Sequence, residues 1–249
     1  MVSILNQQNV MNLQIKIKFL SGLLILFLGI ALSNQADATY KVHVIGDSHS
    51  HFSFTGVENC IIHWLGPITM HRVGKKGLRL IDVRKFDIKE GDTVIFVFGE
   101  IDVRCHIGKQ RDLRHRNVEH IIENLVQNYI KTLLDNRNLF THLHYVVCSV
   151  LPPTNQSYNP QLPIHGSLQD RIFFTNRLNR RLHEAATAVG LHFLEIPKAY
   201  AIGEGYLDPL LSDGVHIGPG KNHYLKGALD ELLQKLYYPK KVVEHQFQD

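Results

Sequence analysis

This sequence of 249 residues lacks most of the features that identify a protein class by composition. Its net charge is only +4, and its basic residues are scattered without aromatic interleaving, so nothing indicates a nucleic-acid partner. Three cysteines, Cys60, Cys105 and Cys148, stand at irregular spacing without a Cys-x-x-Cys pair. They leave open one disulfide with a free thiol or three buried thiols, and they predict no zinc site. We therefore expect no metal and no cofactor.

The N-terminal 38 residues differ from the rest of the chain. Lys16 and Lys18 precede an apolar run of 14 residues, 19–32, and Ala36-Asp37-Ala38 follows it. A positive segment, a short apolar run and a small-x-small site are the parts of a secretory signal peptide, whereas a membrane span needs about 20 apolar residues. We expect residues 1–38 to be a signal peptide, with an uncleaved membrane anchor as the alternative. Either one places the protein outside the cytosol, secreted or periplasmic, or anchored to the membrane.

Residues 39–249 have the composition and length of one globular domain, with 44% hydrophobic and 20% charged residues in the whole chain. Short apolar runs predict strands at 40–45, 68–73, 93–98, 144–150 and 191–196. Helical spacing of apolar residues predicts helices at 117–134, 168–189 and 221–237. This alternation predicts an α/β fold, a three-layer α/β/α sandwich around a central parallel sheet. In such sheets ligands bind beyond the carboxyl ends of the strands.

Three polar motifs are expected at that edge of the sheet. They are Gly46-Asp47-Ser48-His49, Gly99-Glu100-Ile101-Asp102 and Ser212-Asp213-Gly214-Val215-His216. A serine hydroxyl becomes a nucleophile when a histidine removes its proton, and a carboxylate orients that histidine. Asp213 and His216, three residues apart, can supply both groups for Ser48. The motifs therefore predict a serine hydrolase without the G-x-S-x-G elbow of the common α/β-hydrolases.

These motifs resemble those of the SGNH/GDSL hydrolase superfamily. Gly46-Asp47-Ser48-His49 is similar to its first block, and Asp213-Gly214-Val215-His216 is similar to its last block, over about residues 40–237. The resemblance implies a flavodoxin-like fold and an esterase that forms an acyl-Ser48 intermediate, with His216 as general base and Asp213 orienting it. It also implies small-molecule or carbohydrate ester substrates, including O-acyl and O-acetyl esters of the cell envelope or of extracellular polysaccharide.

The resemblance further implies an oxyanion hole. Its donors would be the Ser48 N–H, the N–H of Gly77 (with Gly74 as the second choice) and a side chain in the third motif. There Asp102 stands at or next to the position where the family has asparagine, and an ionised aspartate has no proton to donate. Arg104 or His106 would then be the substitute donor. The alternative is that Glu100, Asp102 and Arg104 form an ion-paired loop that supports the site.

Two rival functions remain open from the sequence. Asp47-Ser48-His49 fits the D-x-H motif of a metallophosphoesterase, although the expected G-N-H-[DE] motif is absent. The other rival is a catalytically weak or inactive glycan-binding domain that keeps the SGNH fold and has lost activity through Asp102.

Overall fold

The computed structural model describes residues 40–155 and 162–238. Its centre is a five-stranded, fully parallel sheet in the order β2-β1-β3-β4-β5. The strands are β1 (Val42–Gly46), β2 (Cys60–Trp64), β3 (Thr93–Val97), β4 (His144–Cys148) and β5 (His192–Leu194), and a separate antiparallel pair consists of β6 (Ala201–Ile202) and β7 (Tyr206–Leu207). The helices are α1 (Ser48–Phe54), α2 (Met70–Lys76), α3 (Ile107–Arg114), α4 (Val118–Leu139), α5 (Leu168–Ala188) and α6 (His223–Tyr237). A π-helical segment, Asp102–His106, leads into α3.

Alternating side chains of the strands form two hydrophobic cores, one on each face of the sheet. Val94 and Phe96 of β3 pack with apolar residues of α2, α4 and α5. Ile95 and Val97, one residue out of phase, pack with apolar residues of α1 and α6 on the opposite face. Since side chains alternate along a strand, near-continuous apolar runs are what a sheet covered on both faces requires. The predicted three-layer α/β/α architecture is confirmed.

Most of the predicted elements are confirmed within a few residues, but the second strand is wrong. Residues 68–73 fall on the loop before α2 and on its first turns, whereas the edge strand β2 lies earlier in the chain. Thr69 caps α2 by accepting the N–H of Arg72, which begins a helix where the β-branched residues had indicated a strand. Edge strand β2 is only partly buried, although four of its five residues are apolar. Helices α1 and α3 were not predicted.

The expected N-terminal segment 1–38 lies outside the described residues. Among the residues that are described, no helix is both long and apolar enough to span a bilayer. Cys60, Cys105 and Cys148 are all free thiols; Cys148 is buried, whereas Cys60 and Cys105 are only partly buried, which differs from the expected three buried thiols.

Candidate active site

Ser48 stands directly after β1, at the first residue of α1. A side chain on Gly46 would place its Cβ 2.3 Å from the Val97 carbonyl oxygen, so only glycine allows the chain to leave the sheet here. Asp47 then caps α1, because its Oδ1 accepts the His49 N–H at 2.9 Å. The Asp47 N–H donates to the Val97 carbonyl at 3.2 Å, which ties the turn to β3. Sequence and local geometry together hold Ser48 at the carboxyl end of the central strands.

Ser48, His216 and Asp213 form a continuous chain of hydrogen bonds. The Ser48 Oγ lies 2.9 Å from Nε2 of His216, and Nδ1 of His216 lies 3.0 Å from Oδ2 of Asp213. The other oxygen of Asp213 accepts the backbone N–H groups of Val215 and His216, so the carboxylate is fixed within its own loop. The structure therefore brings together the three side chains predicted as nucleophile, base and orienting carboxylate.

The electrostatic surroundings of this hydrogen-bonded relay, Ser48–His216–Asp213, keep His216 neutral and Asp213 ionised. Burial lowers the pKa of His216, and the neighbouring His49 lowers it further, so the ring is a neutral acceptor at physiological pH. Burial alone would raise the pKa of Asp213, but the N–H groups of His216 and Val215 outweigh it and hold that pKa below its usual value. A neutral imidazole between a serine hydroxyl and an ionised carboxylate can accept the serine proton.

Gly77 does not occupy the predicted oxyanion position. It is the C-terminal residue that ends α2, and its N–H donates to the Val73 carbonyl, so that N–H is not available to a substrate. Gly74, the second choice, lies inside α2 against Asn128 and Tyr129 of α4. Both assignments followed from the wrong second strand.

The register of the sheet indicates Gly66 instead. Gly46 pairs with Trp64 in β2, so Ser48 and Gly66 each stand two residues beyond paired strand positions. Neighbouring strands lie about 4.8 Å apart, which brings the two backbones close together at this edge. Within residues 40–155 and 162–238, no acceptor binds the N–H of Ser48 or of Gly66. Gly66 has φ +82°, a left-handed conformation that favours glycine. A glycine two residues after the end of β2 was therefore the feature of the sequence that could have indicated this position.

Asp102 does not lie in an oxyanion hole either. Its side chain is fully buried, and its two oxygens accept the N–H groups of Met70 at 2.6 Å and His71 at 3.2 Å. Asp102 thus binds the first turn of α2, which contradicts its predicted place facing the substrate. Burial raises the pKa of Asp102 to about 7, against the opposing effect of these two hydrogen bonds. Ile101, which precedes Asp102 in Gly99-Glu100-Ile101-Asp102, has an apolar side chain.

Glu100 and Arg104 form a buried ion pair next to the relay. Arg104 Nε lies 2.8 Å from Glu100 Oε1, and Arg104 Nη1 donates to the Pro163 carbonyl at 3.0 Å. His49 Nε2 lies 3.4 Å from Glu100 Oε2, and the His49 ring centroid lies 4.5 Å from that of His216. The alternative of an ion-paired supporting loop is correct for Glu100 and Arg104. His49, which the sequence analysis did not assign, joins this pair to the relay.

His106, the other proposed donor, lies away from these contacts. Its ring stacks on that of His71, with centroids 4.5 Å apart. Arg104 is likewise engaged by Glu100 and Pro163, so neither residue is placed as the predicted substitute donor. In the part of the chain that the structure describes, no group of three or more His, Cys, Asp or Glu side chains could hold a metal ion.

Exposed aromatic rings line one side of the relay. This aromatic shelf consists of His51, Phe52 and Trp64. Phe52 is 41% exposed and its ring lies 4.5 Å from that of His216, while Trp64 is 51% exposed and stacks on His51. Large exposed aromatic side chains next to polar groups are typical of ligand-binding surfaces. No sequence pattern indicated the shelf, because its members come from α1 and β2.

Comparisons with known proteins identify the fold. No family model matches the sequence, and no curated protein matches it. A GDSL-like lipase from Bacteroides thetaiotaomicron superposes with a TM-score of 0.56 at 16% identity, over 83% of this chain and 93% of that one. The chain has the SGNH/GDSL hydrolase fold. An aryl esterase from M. smegmatis gives 0.54 at 16% identity, over 79% and 99%, and a carbohydrate acetylesterase from Sinorhizobium meliloti gives 0.50 at 15%, over 80% and 100%.

Proposed function

We propose that this protein is a serine esterase that hydrolyses carboxylic esters through an acyl-Ser48 intermediate. The observation that carries the proposal is the hydrogen-bonded relay Ser48–His216–Asp213, with contacts of 2.9 and 3.0 Å. The SGNH/GDSL fold supports it, because similar structures include a GDSL-like lipase, an aryl esterase and a carbohydrate acetylesterase.

The mechanism follows from the order of the contacts. His216 Nε2 takes the proton of Ser48 while Oγ attacks the ester carbonyl, and Asp213 stabilises the imidazolium that forms. The Ser48 and Gly66 N–H groups donate to the developing oxyanion. His216 then protonates the departing alcohol, and the same residue activates the water that releases the acid and regenerates Ser48. No metal takes part in these steps.

The aromatic shelf supports a substrate with a flat or weakly polar part beside the scissile bond. The exposed Phe52 ring lies 4.5 Å from that of His216, and the exposed Trp64 ring lies 6.3 Å from that of Phe52. Such rings suit a sugar ring or an aryl group. We propose an O-acylated carbohydrate as the natural substrate. With an exported N-terminal segment, the protein would act on envelope or extracellular polysaccharide; N-terminal sequencing of the mature protein after cell fractionation tests that location.

The test of the catalytic proposal is labelling with a fluorophosphonate probe together with hydrolysis of nitrophenyl acetate. We expect the wild-type protein to react with the probe at Ser48, and Ser48→Ala to lose both labelling and hydrolysis. Ser167→Ala is the control, because Ser167 is an exposed serine that caps α5 and does not contact His216. Equal labelling of the wild type and Ser48→Ala would refute the proposal, and the absence of both labelling and hydrolysis in the wild type would favour a binding domain that only keeps the fold.

A further inference from the structure

A second cleft lies away from the serine relay, between α2, the end of α3 and the start of α4. Its volume is about 990 Å³, at the upper end of the range for small-molecule sites. Three cations, three histidines, four carboxamides and two aliphatic side chains line it, and no carboxylate does. Neither Ser48 nor His216 is among the lining residues, so the cleft is separate from the proposed catalytic site.

The cations of this basic cleft are Lys75, Arg114 and Arg116. Within the described ranges, none of them forms an ion pair. Acidic residues close by in the sequence are engaged elsewhere: Asp112 contacts Arg111, and Glu119 contacts Arg177. The positive charge of the cleft is therefore left uncompensated by the protein.

The backbone places the two arginines on the same cleft. Helix α3 ends at Arg114, and His115 adopts a left-handed conformation with φ +50°, so the chain turns sharply before Arg116. A non-glycine residue in this conformation costs roughly 1–2 kcal/mol, so the turn is maintained by its surroundings. Asn117 then caps the 22-residue helix α4 by accepting the N–H groups of Glu119 and His120. The positive end of that helix adds to the charge of the cleft.

Two further observations indicate a ligand with both charged and hydroxyl groups. Gln110 lines the cleft, and its Oε1 is buried without a hydrogen-bond partner among the described residues. Burial, together with the charges of His71, Arg114 and Arg116, lowers the pKa of His106 to about 4. The stacked His71 and His106 rings are thus neutral and can exchange hydrogen bonds with a polyhydroxylated molecule.

We propose that the basic cleft binds a saccharide that carries negatively charged groups, either phosphate or carboxylate. The guanidinium groups of Arg114 and Arg116 and the ammonium group of Lys75 would bind the oxyanions. The carboxamides and neutral imidazoles would bind the hydroxyl groups. This binding does not depend on the esterase proposal, because it uses no residue of the relay.

The test is calorimetric titration of the full-length protein with three probes: a galacturonic acid trimer, fructose bisphosphate and the neutral maltotriose. We expect at least one acidic probe to bind, with an affinity that salt weakens, and maltotriose not to bind. The tighter acidic probe identifies carboxylate or phosphate as the preferred group. Ser48→Ala is expected to bind the acidic probe like the wild type, which separates this site from the proposed catalytic site.

Variants locate the binding. The double variant Arg114→Gln, Arg116→Gln is expected to bind the acidic probe at least about tenfold more weakly than the wild type. Arg79→Gln is the matched control, since Arg79 is exposed and outside the cleft. In NMR spectra the ring signals of His71 and His106 are expected to shift on binding, and those of His63 in β2 to stay. The proposal is overturned if neither acidic probe binds at about 1 mM, if maltotriose binds equally, or if the double variant binds like the wild type.

Discussion

Removing the charge of Glu100 is expected to destabilise the protein far more than removing a surface carboxylate. The side chains of Glu100 and Arg104 are only 9% and 8% exposed, and their contact is 2.8 Å. Glu100→Gln leaves the Arg104 guanidinium buried without its counter-ion. Breaking a buried ion pair in this way costs about 3–5 kcal/mol of unfolding free energy.

The pKa of Glu100 gives a similar magnitude. Burial alone would raise it, but His49 and Arg104 lower it from 4.5 to about 2. At 1.36 kcal/mol per unit, that difference corresponds to roughly 3 kcal/mol of stability from the ionised form. Because the pKa of the folded state is the lower one, this contribution is fully present above about pH 4.5 and is lost as the pH falls towards about 2.

Thermal and urea denaturation at neutral pH measure the effect. For a domain of this size, a loss of 3–5 kcal/mol lowers Tm by about 6–20 °C. Glu184→Gln is the control, because Glu184 pairs with Arg181 at 3.0 Å on the surface, with its side chain 52% exposed. Such a pair is worth about 0–1 kcal/mol. If Glu100→Gln and Glu184→Gln have the same Tm, the argument from burial is refuted.

A double variant distinguishes the unpaired charge from lost packing. Glu100→Leu with Arg104→Met removes both charges, and apolar replacement of a whole buried pair is often neutral or stabilising. We expect the double variant to recover most of the stability that Glu100→Gln loses. No recovery would mean that the cost comes from the hydrogen bonds and not from the stranded guanidinium.

Four further results are expected. Since burial lowers the pKa of His216, kcat/KM for an activated ester should rise with pH along a limb centred below pH 6.5 and stay level above it; a limb above pH 7 would contradict the assignment of His216 as base. Gly66→Ala forces alanine into φ +82°, which costs about 1–2 kcal/mol, and should lower both Tm and kcat, whereas the solvent-facing Gly91→Ala, at φ +87°, should lower Tm alone. Burial raises the pKa of Asp102 from 3.8 to about 7, so between these pH values the folded state binds more protons than the unfolded state. The unfolding free energy should therefore fall as the pH rises from about 4 to 7, and Asp102→Asn should flatten this slope in urea titrations. An unchanged slope would refute the raised pKa of Asp102. Trp64→Ala should raise KM for aryl or sugar esters with little change in kcat. An equal loss in kcat would mean that the aromatic shelf stabilises the transition state and not only the bound substrate.

The fold and the three relay residues could be predicted from the sequence, for physical reasons. Central strands such as β3 are buried on both faces, so their apolar runs are unmistakable. Ser48 and the pair Asp213 and His216 come directly after buried strands or just before the last helix, where parallel topology gathers polar groups at one edge. The relay could therefore be predicted from residues 168 positions apart without any model of the loops.

The glycine that we propose as the second oxyanion donor was not predicted, because it follows an edge strand that was assigned to the wrong segment. Four of the five residues of β2 are apolar, and residues 68–73, which contain His71 and Arg72, in fact enter a capped helix. Assigning the strand to 68–73 moved the glycine prediction to Gly77, away from Gly66, which we propose instead. The basic cleft and the aromatic shelf were missed for a different reason: their residues come from separate elements and share no spacing in the chain.

The third motif determines what kind of activity this site can have. Glu100 contacts Arg104 and His49, and Asp102 accepts the N–H of Met70 at the start of α2. The apolar side chain of Ile101 has no proton to donate. The proposed oxyanion hole thus has backbone donors but no side-chain donor from this motif, and the loss of one donor costs about 10²–10³ in kcat. Reaction with a fluorophosphonate depends chiefly on the activation of Ser48, so it should suffer less than ester turnover. Ready labelling of Ser48 with slow hydrolysis of nitrophenyl acetate would show an intact relay limited by its oxyanion hole. Absence of both would place the failure in the relay itself.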